Sequence, residues 1–217
     1  MHTSVSNFIS VKRELELKIP ERNNTNIIAV SKTFDMSMIK PLIDYGHQHF
    51  GENKVQEALE KWTDVKNSAE NIQLHMIGKL QTNKVKYVIP LFDYIHSLDN
   101  LNLAKKISQE QKKKNKNLKI FIQINIGNEK QKSGIDIGSL KDFYSTCVNE
   151  LQLNIIGLMC IPPQNKDISF HFKKMSEIQK SIGVKELSMG MSSDYLEAIK
   201  YGASFVRIGS KIFGERA

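Results

Sequence analysis

Cysteine is scarce in this chain of 217 residues: Cys147 and Cys160 are the two present. They share no short ligand spacing and sit among apolar neighbours, which argues against a zinc site or a disulfide framework, and both read as core residues. No apolar stretch approaches the roughly 18 residues that a membrane-spanning helix needs. Residues Met1 to Ser10 contain no basic segment followed by an apolar one, so no secretory leader is expected and the cytoplasm is the expected compartment. Composition shifts, low-complexity runs and linkers are also missing, so residues 1–217 are expected to form one domain. A metal set is lacking too. His47 and His49 fall on the same side of a predicted strand, but no carboxylate or third histidine accompanies them at useful spacing.

The net charge of +8 raises the question of nucleic acid. The lysines are scattered, however, and the dense run Lys112-Lys113-Lys114-Asn115-Lys116 suits the solvated end of a helix, where the dipole favours cations. No basic-aromatic module accompanies it, so no nucleic-acid partner is expected.

What the chain does contain is an apolar run, Ile27-Ile28-Ala29-Val30-Ser31, that ends abruptly at Lys32. Such a run predicts a strand buried on both faces, as in parallel sheets. A lysine at the carboxyl end of an interior strand reaches the place where α/β folds put their chemistry. Around it, strands and helices alternate. A helix is predicted over Phe8–Ile19, stopped by Pro20. Ser37 is the expected cap of a helix to Tyr45, with Pro41 near its first turn and Gly46 at its end. A strand over His47–Phe50 then turns at Gly51-Glu52-Asn53 into a helix carrying Val55, Ala58, Leu59 and Trp62. Further strands are predicted over Ile72–Ile77, Tyr94–Ser97, Leu118–Ile126, Asn154–Met159, Glu186–Met189 and Ser204–Ile208. Helices between them cover Gln81–Val88, Asn100–Lys113, the region of Leu140, Phe143 and Val148, Ile168–Ile182 and Asp194–Tyr201. About eight strands, each followed by a helix, predict a single (β/α)₈ barrel with an extra N-terminal helix; an open doubly wound sheet is the alternative.

Two turns rich in glycine and serine follow the last two strands: Ser188-Met189-Gly190-Met191-Ser192-Ser193-Asp194 and Arg207-Ile208-Gly209-Ser210. Barrels frequently hold a phosphate with these loops. Barrel closure would set strand eight beside strand one, bringing Arg207 near Lys32. An amine, a phosphate cradle and a guanidinium are the parts that pyridoxal phosphate requires. An always-charged arginine at the ring nitrogen would keep that nitrogen neutral and the ring a weaker electron sink.

With those residues in place, the chain resembles the pyridoxal phosphate homeostasis proteins, the YggS/PROSC family, over nearly its whole length. The resemblance rests on Ala29-Val30-Ser31-Lys32-Thr33, on Phe50-Gly51-Glu52-Asn53-Lys54-Val55-Gln56-Glu57 and on His75-Met76-Ile77-Gly78-Lys79-Leu80-Gln81-Thr82-Asn83-Lys84. It continues through Lys132-Ser133-Gly134, Gly157-Leu158-Met159, Leu187-Ser188-Met189-Gly190-Met191-Ser192 and Val206-Arg207-Ile208-Gly209-Ser210. It implies a barrel similar to the amino-terminal domain of alanine racemase, with pyridoxal 5'-phosphate as an internal aldimine on Lys32. By the same resemblance Arg207 faces the ring nitrogen, Ser192, Gly209 and Ser210 hold the phosphate, and Asn53 lies beside the cofactor. Leu74, Met76 and Ser210 depart from the family's usual tryptophan, phenylalanine and threonine; the first two are expected to alter the local wall of the site.

The expected function is therefore a cytoplasmic carrier or buffer of pyridoxal phosphate, without catalytic turnover. A racemase of this barrel class needs a second acid/base from an extra domain, and the chain ends at Ala217. The alternatives are an amino-acid racemase or a Schiff-base aldolase on a phosphate-binding barrel. Apo-enzymes that depend on the cofactor are the candidate recipients, and a monomer is expected. Lys79, Lys84 and Lys132 form either an anion-binding rim or solvated loops; His75 and the Gln81-Lys84 run have no assigned role.

Overall fold

The apolar runs become the staves of a closed barrel. The computed structural model describes residues 1–22, 25–68, 71–129, 131, 133–163 and 167–215. Its strands are β1 (Asn26–Val30), β2 (His49–Glu52), β3 (Gln73–Met76), β4 (Tyr94–Leu98), β5 (Lys119–Ile124), β6 (Ile155–Cys160), β7 (Glu186–Met191) and β8 (Phe205–Ile208). They pair in sequence order, every neighbour parallel, and β8 closes on β1 with Ile28 opposite Arg207. Parallel neighbours need a crossover, which the helices supply. These are α1 (Thr3–Lys18), α2 (Met36–Asp44), α3 (Val55–Ser68), α4 (Val85–Leu91), α5 (Leu101–Lys114), α6 (Leu140–Ser145), α7 (Ile168–Ile182), α8 (Tyr195–Lys200) and α9 (Ser210–Phe213).

Alternation along each strand divides the side chains into two cores. Outward residues such as Ala29, Phe50, Leu74, Met76, Leu187 and Val206 pack with Trp62, Phe172 and Ile199 of the helices in one large apolar layer. Inward residues form a smaller cluster of Ile28, Tyr94, Phe121, Met159 and Phe205. Histidines share this inner space: His75 stacks on Tyr94 at 4.1 Å between ring centroids, and His96 on Phe121 at 4.2 Å. Both cysteines are buried in the apolar layer, and burial pushes each thiol up to about 12. α1 lies outside the alternation and packs on α2 and α9.

Local chemistry explains where elements begin and end. Asn100 caps α5 by accepting the Leu103 N–H at 2.9 Å, and Asn115 ends it in the left-handed region, just past the lysine run. Asp167 caps α7 through the Phe170 N–H, and Gly183 closes it at φ 79°. Five sequence expectations need correction. The cap of α2 is Asp35 rather than Ser37, and Pro41 lies inside that helix, not near its first turn. β2 runs two residues further than expected, so Gly51 and Glu52 are strand rather than turn. β7 likewise extends through Gly190 to Met191, which glycine permits at φ 92°. The expected Gln81–Val88 helix starts as a 3₁₀ turn and becomes α-helical only from Val85 to Leu91.

Among the described residues, no helix is long and apolar enough to cross a membrane, and no group of three or more His, Cys, Asp or Glu is placed to hold a metal ion.

Candidate functional site

At the carboxyl end of the strands a cavity of about 500 Å³ opens between the loops after β1, β2, β7 and β8. Its wall includes Lys32, Asn53, Ser192, Arg207, Gly209 and Ser210, with Val30, Phe34, Ile77 and Met191 as its apolar part. Lys32 and Arg207 thus meet at one mouth because β8 is the neighbour of β1. A second cavity of about 360 Å³ lies at the opposite mouth and includes Tyr94, Lys119 and Phe205. It gathers no glycine-serine loops, and active sites of such barrels sit at the carboxyl end.

Lys32 lies two residues past the end of β1, in a turn that is held from below. The ammonium of Lys61 on α3 donates to the carbonyls of Ser31 at 2.9 Å and Phe34 at 3.4 Å, bracketing Lys32. The same ammonium pairs with Glu57 at 2.8 Å and Glu52 at 2.7 Å. Glu52 is fully buried, and its Oε1 also accepts from Ser31 Oγ and Trp62 Nε1. Burial raises the Glu52 carboxyl above the usual carboxylate range, with Lys61 opposing that rise. Thr33, next to Lys32, adopts φ 67°, a left-handed conformation that a β-branched residue rarely takes; its N–H donates to Glu57. Two carbonyls and two glutamates therefore converge on one largely buried cation. Removing it in Lys61→Ala leaves Glu52 uncompensated, and the expected loss is about 3–5 kcal/mol. Thermal unfolding checks this: Tm is expected to fall by roughly 10 °C, since each kcal/mol moves a protein of this size by about 2–4 °C. A Tm within about 2 °C of the wild type would contradict the clamp, by the same conversion.

Arg207 reaches inward from β8 across β7. Its Nη1 donates to the Ser188 carbonyl and to Ser188 Oγ, each at 2.8 Å, and its Nη2 to the Cys160 carbonyl at 2.9 Å. Burial lowers its pKa, opposed by the nearby Cys160 and Asp194. The guanidinium is thus fixed by protein acceptors on one side while its remaining N–H groups are left for the cavity. Beside it the two glycine-serine loops are tied together, Gly209 N–H donating to Ser192 Oγ at 3.3 Å. Asp194 closes the first loop by accepting the Met191 N–H. Ser210 begins α9, where the leading N–H groups have no acceptor within the helix.

The six residues singled out from the sequence therefore line a single cavity. One expectation about the wall is corrected. Leu74 and Met76 are buried in the outer apolar layer, because the strand turns them away from the barrel interior; they form no wall of the site. Lys79 and the run Gln81–Asn83 are exposed. Lys132 lies outside the described residues. His49 does find a nitrogen partner, but it is His75 in the barrel interior, itself bonded to His96, rather than His47. Glu52, Lys61 and Ser188 support the site, a part that the sequence alone does not assign them. The one available signal was a charged residue at position 52 in a strand that buries its neighbours.

The fold and site define a barrel of the alanine racemase kind, and the comparisons agree. The family model described as the alanine racemase N-terminal domain matches residues 13–217. A pyridoxal phosphate homeostasis protein of Aquifex aeolicus is 36% identical over 203 residues, covering 89% of this chain and 88% of the relative. The protein of that name from Escherichia coli K12 is 34% identical over 199 residues, 88% and 85% of the two chains. Among solved structures, PipY of Synechococcus elongatus with pyridoxal phosphate bound superposes with a TM-score of 0.87 at 28% identity, over 97% of this chain and 100% of PipY. An alanine racemase of Clostridium difficile, 16% identical, shares the fold with a TM-score of 0.75 over 99% of this chain and 57% of its own. The chain belongs to the pyridoxal phosphate homeostasis protein family.

Proposed function

We propose that this protein binds pyridoxal 5'-phosphate at the carboxyl mouth of the barrel and keeps it in store for other proteins, without turning over a substrate of its own. The observation that carries this reading is the meeting of Lys32 and Arg207 with Ser192, Gly209 and Ser210 on one cavity. The donor set fits the group: an amine for the aldehyde, a guanidinium for the ring nitrogen, and hydroxyls with backbone N–H groups for the phosphate. The homeostasis-protein names of the relatives and the pyridoxal phosphate in PipY support it. When bound, the cofactor supplies an aldehyde that condenses with a primary amine and a conjugated ring that accepts electrons.

In this reading Lys32 would hold the aldehyde end of the cofactor, and Lys61, bonded to the Ser31 and Phe34 carbonyls, keeps the Lys32 turn at the cavity. Arg207, anchored on Ser188 and Cys160, would donate to the ring nitrogen with its remaining N–H groups. Because arginine stays protonated, it holds that nitrogen in its unprotonated form. Ser192, Gly209 and Ser210 hold the phosphate, and Asn53 borders the ring. The chain acts as one domain in the cytoplasm, as a monomer, with cofactor-dependent apo-enzymes as recipients.

A storage role is supported over racemisation by the homeostasis-protein names of the relatives. Moving a proton between the two faces of a substrate calls for two acid/base groups. Among the described lining residues there is one lysine, no tyrosine and no histidine, and Glu215 is the one carboxylate. The test combines a binding titration with an alanine racemisation assay on the loaded protein. Saturable binding with no turnover above free cofactor supports storage. Turnover of D- or L-alanine that disappears in Lys32→Ala would make the protein a racemase instead.

A further inference from the structure

Beneath Arg207 the barrel interior carries a polar column where branched apolar side chains are the usual filling. Ser188 Oγ, bonded to Arg207 Nη1, lies 2.8 Å from His96 Nδ1. His96 Nε2 is 2.9 Å from His75 Nδ1, and His75 Nε2 is 3.0 Å from His49 Nδ1. One residue each from β8, β7, β4, β3 and β2 thus spans the barrel from the Lys32 mouth to the opposite one. Ser188, His75 and His96 are fully buried, while His49 is half-buried at the amino mouth.

Arg207 dictates the direction of every bond in this column. A guanidinium only donates, so Ser188 Oγ accepts from it and the serine proton must find another partner. The partner in reach is His96 Nδ1. If Nδ1 carried a proton, the serine hydroxyl would be buried without an acceptor, at a cost of about 1–3 kcal/mol. His96 therefore holds its proton on Nε2 and donates to His75 Nδ1, and His75 in turn donates through Nε2 to His49 Nδ1. All three rings are neutral. Burial holds His75 and His96 well below the ordinary histidine value and lowers His49 as well.

We propose that His96, His75 and His49 are positioning residues for Arg207, a one-way chain of imidazoles that links the ligand at the Lys32 mouth to the protonation of His49 at the other. This rests on the reading of the Lys32 cavity as a pyridoxal phosphate site. A proton on His49 Nδ1 would turn an acceptor into a donor that faces the His75 Nε2–H. Relieving that clash requires each ring in turn to move its proton, and Ser188 then loses the acceptor for its hydroxyl. The disturbance ends at the group that steadies Arg207. By linkage, a ligand that needs Arg207 in place makes His49 harder to protonate. The groups facing His49 are His47 ahead of β2, His75 on β3, Asp93 and Tyr94 at the start of β4, and Lys119 on β5, with apolar Phe205 on β8. Lys119 disfavours the proton and Asp93 favours it.

Two measurements test the chain. In the ligand-free protein at pH 7.5, ¹⁵N-edited spectra of the histidine rings are expected to show Nε2–H with bare Nδ1 at His49, His75 and His96. Nδ1–H rings at these positions would overturn the chain whatever the cofactor does. Affinity for pyridoxal phosphate is then followed from pH 8 to pH 5 in two variants. His49→Asn keeps an acceptor, Oδ1, in place of Nδ1 but cannot take a proton; His49→Leu removes the acceptor. His49→Leu is expected to bind about tenfold more weakly at pH 7.5, the equivalent of one lost hydrogen bond. His49→Asn is expected to match the wild type there and to lose less affinity than the wild type as pH falls below 6.5. Equal affinities for His49→Leu and the wild type, or one common pH profile for all three proteins, would overturn the link. Absence of binding by the wild type would instead overturn the reading of the cavity, and the linkage with it, while the ring spectra would still decide the column.

Discussion

Lys32→Ala, titrated with pyridoxal phosphate, is expected to develop no visible absorbance band under conditions in which the wild type develops one. The argument rests on position. Lys32 is the one lysine on the cavity wall among the described residues, it lies two residues past β1, and its turn is pinned by Lys61 through two carbonyls. Removing its side chain beyond Cβ leaves that clamp, the Glu52 pair and the Arg207 anchors in place. The fold and the phosphate-facing loops should therefore persist, and weak noncovalent binding with them. The readout is the band itself, which requires conjugation between the cofactor and an amine. Unchanged far-ultraviolet circular dichroism and Tm in the variant would show that a lost site, not a lost fold, is responsible. A band of wild-type intensity in Lys32→Ala would mean that another amine makes the link.

The second large effect is loss of stability in acid. His47 is lowered to about 4, and His49, His75 and His96 are also lowered, in each case chiefly by burial. In the unfolded chain all four regain the ordinary value near 6.5. The sign follows: below 6.5 the unfolded chain binds protons that the folded barrel refuses, so stability is complete above 6.5 and falls as pH drops toward the folded values. One proton taken up on unfolding is worth about 1.4 kcal/mol per pH unit. His47, His75 and His96, each half-protonated at 6.5 in the unfolded chain, make the loss between pH 6.5 and 5 roughly 5 kcal/mol, with His49 adding in the same direction, comparable with the lower range of whole-domain stabilities. Glu52 works in the opposite sense: its raised carboxyl keeps a proton in the folded state above 4.5, trimming the effect. Glu14, lowered to about 2 mainly by its bonds with Lys18 and Tyr195, steepens the loss below 4.5. Urea midpoints measured from pH 8 to pH 4.5 check this. A steady fall beginning near 6.5 is expected, and a midpoint unchanged between pH 7.5 and 5 would contradict the burial of neutral histidines.

The residues differ in how plainly the sequence announced them. Ile27–Val30 could be read as an interior strand because every residue in it is apolar, and closure of eight alternating units then put β8 beside β1. That step sufficed to bring Arg207 to Lys32 without knowledge of any contact. Glu52 defeated the same reasoning. A carboxylate beside glycine and asparagine has the local character of a turn, and the groups that make it tolerable inside a strand, Ser31, Lys61 and Trp62, stand 21, 9 and 10 residues away. The cap of α2 falls on Asp35 although Ser37 is an equally good capping residue, so local preference does not separate the two. The histidine column was out of reach for a further reason: its members occupy strands β2, β3 and β4, and nothing but barrel register sets them nitrogen to nitrogen. Fold and mouth follow from pattern; the polar column beneath the mouth follows from pairing alone.

Mass mapping of borohydride-reduced peptides after loading the wild-type protein with pyridoxal phosphate tests the central claim most directly, because reduction fixes the cofactor to whichever amine holds it. One adduct, on the peptide containing Lys32, is the predicted result. No adduct, or adducts spread over exposed lysines such as Lys79 and Lys119 with none favoured, would contradict the assignment of this cavity.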